Sequence, residues 1–324
     1  MDVSPKDVCI FIASHMSKSN RILYLMECLD SLIYQQVPVP IYLSISFENP
    51  DIQSECMDLL NKIVAKIQPE FLNITVRSQK TPQMRHFHLL YDEFGEKHTW
   101  FMFCDDDDTY TKDRTDSFIK AISHGLTNTS NKHMAGVYES ISGDNHTKRR
   151  HEYWCYCVNT RLLLRFFNTV SPHPLILNDT CCDVLFGEYL RRLFPDWSFV
   201  MLHKHCYQYR VDQNADSITQ VIQSKHGQYH PRSSAPPATT SPEWATYVIE
   251  WNEFLRENMH IYLHDTYLRT LVGYSFDQIL QYEFISNYSL LEYIDQPHIE
   301  KMADLHASVI SVCEQLYDVP TQQP

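Results

Sequence analysis

The sequence predicts an α/β protein with a doubly wound, mainly parallel β-sheet flanked by helices, plus a helical region at the C-terminal end. Short apolar runs typical of buried strands occur at 8–13, 41–47, 74–76 and 100–104. Segments with a helical pattern lie between them, at 21–36, 51–67 and 87–94. Strands that alternate with helices in this order pair in parallel through right-handed crossovers, which gives the predicted fold class.

Four consecutive aspartates, Asp105 to Asp108, directly follow the apolar run 100–104. Ligands of open α/β sheets bind at the carboxyl ends of the strands, so the aspartates fall at the expected binding edge. Adjacent carboxylates repel one another, and burial raises their pKa values. A divalent cation resolves this conflict, and oxygen ligands favour Mg²⁺ or Mn²⁺. A solvated acidic loop is the alternative, ranked second because it needs no buried strand leading into it.

The composition changes near residue 225, which indicates a second region. Residues 226–242 are rich in Pro, Ser and Thr and predict a linker or surface loop. Residues 243–318 are rich in helix formers and aromatics and predict a helical subdomain of three or four helices. Its breaks are expected near Met259, Tyr274, Asn287 and Pro297. A disordered tail is expected at 319–324.

Composition and charge exclude several function classes. The 324 residues include only 7 glycines, and the sequence contains neither a dinucleotide-binding nor a Walker-type glycine loop. The net charge of −13 argues against nucleic acid as the partner. No apolar stretch is long enough to span a membrane, and the polar N-terminus does not resemble a signal peptide, so we expect a cytoplasmic protein. The 10 scattered cysteines are then expected to be reduced.

Four sequence motifs can be compared with those of known protein families. The segment Arg21–Gln35 carries Leu, Ser and Gln at fixed spacing after the first strand, and residues 105–114 carry a D-x-D motif followed by Lys and Arg. Residues 182–187 read C-D-V-L-F-G, and residues 209–217 form a further, weaker match. Together they resemble the GT-A-fold nucleotide-sugar glycosyltransferases, in particular the family-2-like inverting enzymes, over about residues 7–220. Cys182 departs from that family's pattern, which has an acidic residue there.

The resemblance implies a transferase domain over residues 1–225, with a nucleotide-sugar half at about 1–110 and an acceptor half at about 111–225. It implies a UDP-sugar donor, a glycan or protein acceptor and Mn²⁺ or Mg²⁺. It places Asp107 on the metal and Asp105 between the metal and the nucleotide sugar. Asp108 on the metal and Asp106 on the nucleotide are the alternative register, one residue along.

The resemblance also gives roles to two residues beyond the aspartate run. Asp183 corresponds to the catalytic base of inverting members, and a surface ion pair with Arg191 is the alternative. A histidine after the last strand completes the metal shell in many such enzymes. His203 and His205 are the candidates, and His203 is preferred.

The remaining site residues follow from strand ends. Ala13, Ser14 and His15 end the first strand and are expected to meet the nucleotide. Glu48 is placed for the base or a ribose hydroxyl. Arg77 and Arg85 are candidates for phosphate or base, and pairing with the aspartates is the alternative. Tyr153 and Trp154 could stack on an acceptor sugar, or belong to the core.

Three other functions stay open. A retaining transferase would use Asp183 for binding only. A nucleotidyltransferase shares the sheet and the acidic site, but it normally has a Gly-rich first loop, and residues 14–20 contain no glycine. A non-enzymatic scaffold would bind a partner through the aromatic C-terminal region, although core packing is the default for aromatics.

Overall fold

A computed structural model describes residues 3–68, 70–128, 133–139, 152–192, 197–210, 237–283 and 288–317. The chain divides into two compact units, Met1–Val211 and Asp212–Pro324. The predicted boundary at residue 225, most of the predicted linker and the predicted tail at 319–324 lie outside the described residues.

The first unit alternates strands and helices. Its strands are β1 (Val8–Met16), β2 (Ile41–Phe47), β3 (Leu72–Val76), β4 (Trp100–Asp105), β5 (Thr109–Tyr110), β6 (His133–Glu139), β7 (Tyr156–Asn159), β8 (Trp197–Leu202) and β9 (Tyr207–Gln208). Its helices are α1 (Asn20–Ile33), α2 (Pro50–Val64), α3 (Gln83–Phe94), α4 (Arg114–Asn128), α5 (Thr160–Val170), α6 (Pro174–Leu177) and α7 (Cys182–Arg191).

The main sheet has seven strands in the order β3-β2-β1-β4-β7-β6-β8. Only β7 runs against its neighbours β4 and β6, and every other pairing in this sheet is parallel. At Gly136 in β6 the backbones approach so closely that a Cβ would overlap the carbonyl of Cys157. The predicted class, a doubly wound, mainly parallel sheet flanked by helices, is confirmed.

The core explains why these segments form the sheet. β1 and β4 are buried along almost their whole length, because each lies between two other strands and under helices. Helix α1 packs an apolar stripe on the sheet through Ile22, Leu25 and Leu29. The pairing of Ala13 with Asp105 aligns the carboxyl ends of β1 and β4, and the aspartates therefore begin at the edge of the sheet.

A second, two-stranded sheet was not predicted. Thr109 and Tyr110 of β5 pair with Gln208 and Tyr207 of β9. Two-residue strands carry too short a pattern to be recognised from sequence. This pairing fixes residues 207–210 beside the acidic run.

The second unit is helical, as predicted. It consists of α8 (Trp244–Leu271), α9 (Phe276–Glu283), a 3₁₀ segment (Tyr288–Tyr293) and α10 (Gln296–Tyr317). The expected break near Met259 is wrong, because that side chain packs inside α8 with Leu255. The break near Tyr274 exists, and Gly273 provides it with a φ of +95°. Pro297 lies in the first turn of α10, where proline is tolerated.

The aromatic residues of this unit are divided between core and surface. Trp251 and Tyr262 belong to one apolar cluster with Leu255, Ile279 and Met302. Tyr274 and Tyr282 are exposed, and Phe284 lies outside the described residues. Within the described segments, no helix has both the length and the apolar character needed to cross a membrane.

Candidate functional site

The acidic run forms a tight turn at the carboxyl end of β4. Asp105 is the last residue of the strand, and its carbonyl accepts a hydrogen bond from the backbone N–H of Asp108 at 3.2 Å. The four side chains therefore leave the sheet at one point, beside the end of β1. We call residues 105–108 the acidic loop.

Two of the four aspartates are bonded to the protein on both carboxylate oxygens. Asp106 is 6% exposed, and its oxygens accept from the Ser14 hydroxyl at 2.6 Å and the Arg21 guanidinium at 2.8 Å. Asp108 is 1% exposed and accepts from the Tyr207 hydroxyl and the Arg210 backbone N–H, both at 2.8 Å. These two carboxylates hold the loop in place.

Asp105 and Asp107 are placed differently. Asp105 is half-buried, and its Oδ1 atom accepts from Gln83 Nε2 at 2.7 Å and from the Tyr153 hydroxyl. Asp107 is also half-buried, and its backbone carbonyl accepts from Arg210 Nε. Alternate residues of the turn therefore differ in exposure: Asp106 and Asp108 are buried, and Asp105 and Asp107 are half-buried.

The loop concentrates negative charge. Burial, followed by the charges of Asp108 and Asp107, raises the pKa of Asp105 well above its usual range. Burial and Asp107 raise the pKa of Asp108 to about 7. Burial raises the pKa of Asp106 even though Arg21 opposes the change. A bound cation would relieve this repulsion, and hard oxygen donors of this kind suit Mg²⁺ or Mn²⁺.

A buried network supports the loop from below. The Tyr207 hydroxyl donates to Asp108 and accepts from the backbone N–H of Asp105. The backbone N–H of Tyr207 donates at 3.0 Å to Glu139 at the end of β6. Glu139 pairs at 2.7 Å with Arg114, and both side chains are fully buried. Sequence reasoning missed Tyr207 and Glu139, because their role depends on pairings distant in sequence.

Asp183 lies in the first turn of α7, near the acidic loop. One turn later Phe186 packs against Phe103 of β4 and Tyr153, with ring centroids 5.5 Å and 6.3 Å apart. The Asp183 charge contributes to the raised pKa values of Asp105 and Tyr153. The structure therefore brings Asp183 within electrostatic range of Asp105. Arg191 pairs with Glu188 at 2.5 Å.

The ends of β1 and β2 form a polar edge beside the loop. The imidazole of His15 hydrogen-bonds Ser46 Oγ and Glu48 Oε2, each at 3.0 Å. The hydrogen bond from His15 and the charge of Lys80 lower the pKa of Glu48. Buried His86 hydrogen-bonds Ser44 at 2.8 Å, and burial lowers its pKa to about 3, so it is neutral.

Several predicted nucleotide contacts need correction. Ser14 is 2% exposed and holds Asp106. Arg77 donates to Glu93 at 2.6 Å and to Ser44 at 2.7 Å, and Arg85 hydrogen-bonds His88 at 3.1 Å. The arginines with hydrogen bonds to the acidic loop are Arg21 and Arg210, which occur in two of the recognised sequence patterns.

The structure places the two aromatic candidates in the core and the histidine candidate at the surface. Tyr153 is 2% exposed and Trp154 is 5% exposed, so both rings belong to the core rather than to an acceptor surface. His203 is exposed in the turn after β8, while Tyr207 from the same segment bonds the acidic loop.

Comparison with known proteins gives structural neighbours only. No family model matches this sequence, and no curated protein is significantly similar to it. S. aureus TarS in complex with UDP-GlcNAc has a TM-score of 0.42 and 12% identity, covering 96% of this chain and 90% of that one. Mannosyltransferase PcManGT from Pyrobaculum calidifontis, in complex with GDP-Man and Mn²⁺, has a TM-score of 0.43 and 11% identity, covering 96% and 87%.

A third neighbour is the 4-diphosphocytidyl-2C-methyl-D-erythritol synthase of Anaerococcus prevotii. Its TM-score is 0.41 at 10% identity, and the match covers 69% of this chain and 99% of that one. TM-scores this low carry no function to the present chain, so any function has to be argued from the site.

Proposed function

We propose that this chain is a metal-dependent, inverting glycosyltransferase that moves a sugar from a nucleoside diphosphate sugar, UDP-linked, to a hydroxyl of a glycan or protein. One observation carries the proposal. A loop of crowded carboxylates ends the central parallel strand β4, with Asp183 within electrostatic range of it. A reaction that brings a diphosphate to this edge needs a cation bridge and a separate base, and the site offers carboxylates for both.

Asp105 and Asp107 are the proposed metal ligands, with Mn²⁺ or Mg²⁺ as the ion. Asp106 and Asp108 are the alternative register, and their oxygens accept hydrogen bonds from the protein. The raised pKa of Asp105 supports the fit, since a carboxylate that repels its neighbours gains most from a cation. When bound, the ion neutralises charge that builds on the departing diphosphate.

The chain's own residues bind and orient the substrates. Arg21 and Arg210 offset negative charge around the acidic loop. Ala13 and His15 border the proposed nucleotide edge, and Glu48 and His15 there present a carboxylate and an imidazole. His203, which is exposed beyond β8, stays the proposed histidine of the metal shell.

Asp183 is the proposed base. It accepts the proton of the acceptor hydroxyl while that oxygen bonds to the anomeric carbon and the bond to the diphosphate breaks on the opposite face. A single displacement of this kind inverts the anomeric configuration. Phe186 holds the first turn of α7 against β4, which fixes the position of Asp183 relative to Asp105.

The test is the release of nucleoside diphosphate from a panel of UDP-sugars, with Mn²⁺ or with EDTA, using water as the acceptor. We expect turnover that needs Mn²⁺ and falls by at least about a hundred-fold in Asp107→Ala, because the charge on the leaving diphosphate loses its partner. Asp92→Asn, at an exposed carboxylate of α3, is the matched control and should be unchanged.

Asp183 has its own readout. Proton NMR of the released sugar should show the anomer opposite to that of the donor, and Asp183→Asn should slow transfer by about 10² to 10⁴-fold while nucleotide binding persists. Retention of configuration would favour the retaining alternative. Absence of nucleotide binding in the wild type, with every donor and metal, would refute the proposed function.

A further inference from the structure

Three aromatic rings form a stack that runs from the core of the first unit to its surface. Tyr207 is fully buried, Trp154 is 5% exposed and Tyr209 is 51% exposed. The centroids of Tyr207 and Trp154 are 4.2 Å apart with planes at 18°. Those of Trp154 and Tyr209 are 5.3 Å apart at 24°. The stack therefore ends in a half-exposed ring that is supported from inside.

The inner rings of the stack are held by charged groups. The guanidinium of Arg114 lies 5.0 Å from the Tyr207 ring centroid, and Arg114 also donates to the carbonyl of Trp154 at 2.7 Å. Glu139 accepts from the backbone of Tyr207 and pairs with Arg114. Because the inner rings are held in place, the Tyr209 side chain that stacks on them loses little conformational entropy when a ligand covers it, which favours binding.

The outer ring lies beside the acidic loop. The next residue, Arg210, donates its backbone N–H to Asp108 and its Nε atom to the carbonyl of Asp107. Burial, then Asp105, Asp108 and Asp107, raise the pKa of Tyr209 to about 12, which is consistent with that proximity. A single exposed tyrosine is common at protein surfaces and does not by itself indicate a binding site. Tyr209 differs because it stacks on buried rings and lies beside a group of carboxylates.

We propose that Tyr209 is the platform on which a pyranose ring stacks at this site. The apolar C–H face of a pyranose suits an aromatic face, while the neighbouring carboxylates of the acidic loop can accept hydrogen bonds from its hydroxyl groups. The inference rests on the proposed function for the presence of a sugar, and it replaces the sequence expectation that Tyr153 and Trp154 stack on the acceptor. The sugar can belong to the donor or to the acceptor.

The acceptor arm uses methyl β-D-glucopyranoside and methyl β-D-galactopyranoside as probes, in saturation-transfer NMR with UDP and Mn²⁺ present. We expect Tyr209→Ala to weaken binding by about three- to ten-fold, the usual worth of one aromatic contact. Tyr209→Phe keeps the ring and should bind as the wild type does. Tyr34→Ala, at the 65% exposed tyrosine that caps the C-terminal end of α1, controls for loss of a surface ring.

The donor arm compares the KM for a UDP-sugar with the affinity for UDP alone. A platform for the donor sugar predicts that Tyr209→Ala raises that KM by a similar factor while UDP affinity stays constant, with Tyr209→Phe unaffected. A merely structural role would instead shift the unfolding temperature and UDP affinity together. A loss confined to the methyl glycosides assigns the platform to the acceptor.

The two proposals fail separately. If the wild type turns over a UDP-sugar but Tyr209→Ala equals Tyr34→Ala in both arms, the platform is refuted and the transferase stands. If the wild type releases no diphosphate, the transferase fails and the methyl glycosides alone decide the platform. Wild-type protein that binds no glycoside and shows no donor effect of Tyr209→Ala also refutes the platform.

Discussion

The acidic loop and the core of the helical unit bury different kinds of groups. Around the loop, Asp106, Asp108, Arg114 and Glu139 are all less than 9% exposed. The cluster of the helical unit consists of aliphatic and aromatic side chains such as Trp251. Burying charge is unfavourable unless every group is paired, whereas burying apolar surface stabilises directly. The loop region therefore depends on the pairing of its buried charges, whereas the helical unit depends on apolar packing.

The largest effect is expected where the buried charge is removed. Glu139→Ala leaves Arg114 without its partner and frees the backbone of Tyr207, so we expect the free energy of unfolding to fall by about 3–5 kcal/mol. Glu139→Gln keeps an acceptor for the backbone N–H and should lose less. Urea denaturation of the full chain measures both.

Glu188→Gln is the control at a carboxylate whose cationic partners lie at the surface. Glu188 pairs with Arg191 and Arg192, whose side chains are 41% and 47% exposed, so we expect a loss of no more than about 1 kcal/mol. A Glu139→Ala loss as small as this one would contradict the view that the loop depends on a buried ion pair.

An apolar truncation tests the other side of the comparison. Leu255→Ala removes a 1% exposed side chain from the helical cluster and should destabilise the chain by about 2–5 kcal/mol, because it leaves a cavity. Ile249→Ala, on the same helix at 60% exposure, should change little. Below the unfolding temperature, UDP affinity should be normal in both. Loss of UDP binding in Leu255→Ala alone would show that the nucleotide site needs the helical unit.

The smallest expected effect is the pH dependence of the stabilisation by Mn²⁺. Because the pKa of Asp108 is raised to about 7, the folded chain binds more protons than the unfolded chain between about pH 4 and pH 7, and its stability falls as pH rises through that window. Mn²⁺ held by Asp105 and Asp107 would place positive charge beside Asp108 and so disfavour its protonated form. We therefore expect the stabilisation by Mn²⁺ to be larger by about 1 kcal/mol at about pH 8 than at about pH 5.5. Thermal unfolding at both values measures it, and an equal gain would contradict metal binding by the loop.

The sequence predicted the sheet because a continuous apolar run indicates a strand that is buried on both faces. β4 is buried on both faces, and its continuous apolar run predicts this directly. The acidic run that follows begins at the carboxyl end of β4, as the sequence predicted. The helical unit was also predicted, but not the continuity of α8, in which Met259 packs in the buried apolar cluster.

The details of the site depend on contacts that no local pattern contains. Arg77 looked available for phosphate until the fold brought Glu93 of α3 to it. Tyr207 reaches Asp108 across 99 positions of sequence, through a two-residue strand pairing. Which of the four aspartates are bonded to the protein likewise depends on distant residues. Ser14 and Arg21 bond Asp106, and Arg210 bonds Asp108. Residue types thus predicted a group of carboxylates at this strand end, and tertiary contacts determine how each of them is held.

The most direct test of the central claim is calorimetric titration of UDP into the protein with Mn²⁺ and with EDTA, for the wild type and Asp107→Asn. We expect UDP to bind the wild type only with Mn²⁺, and Asp107→Asn to lose at least about ten-fold in that affinity. UDP binding of equal strength with Mn²⁺ and EDTA, unchanged in Asp107→Asn, would contradict a metal-bridged diphosphate at the acidic loop.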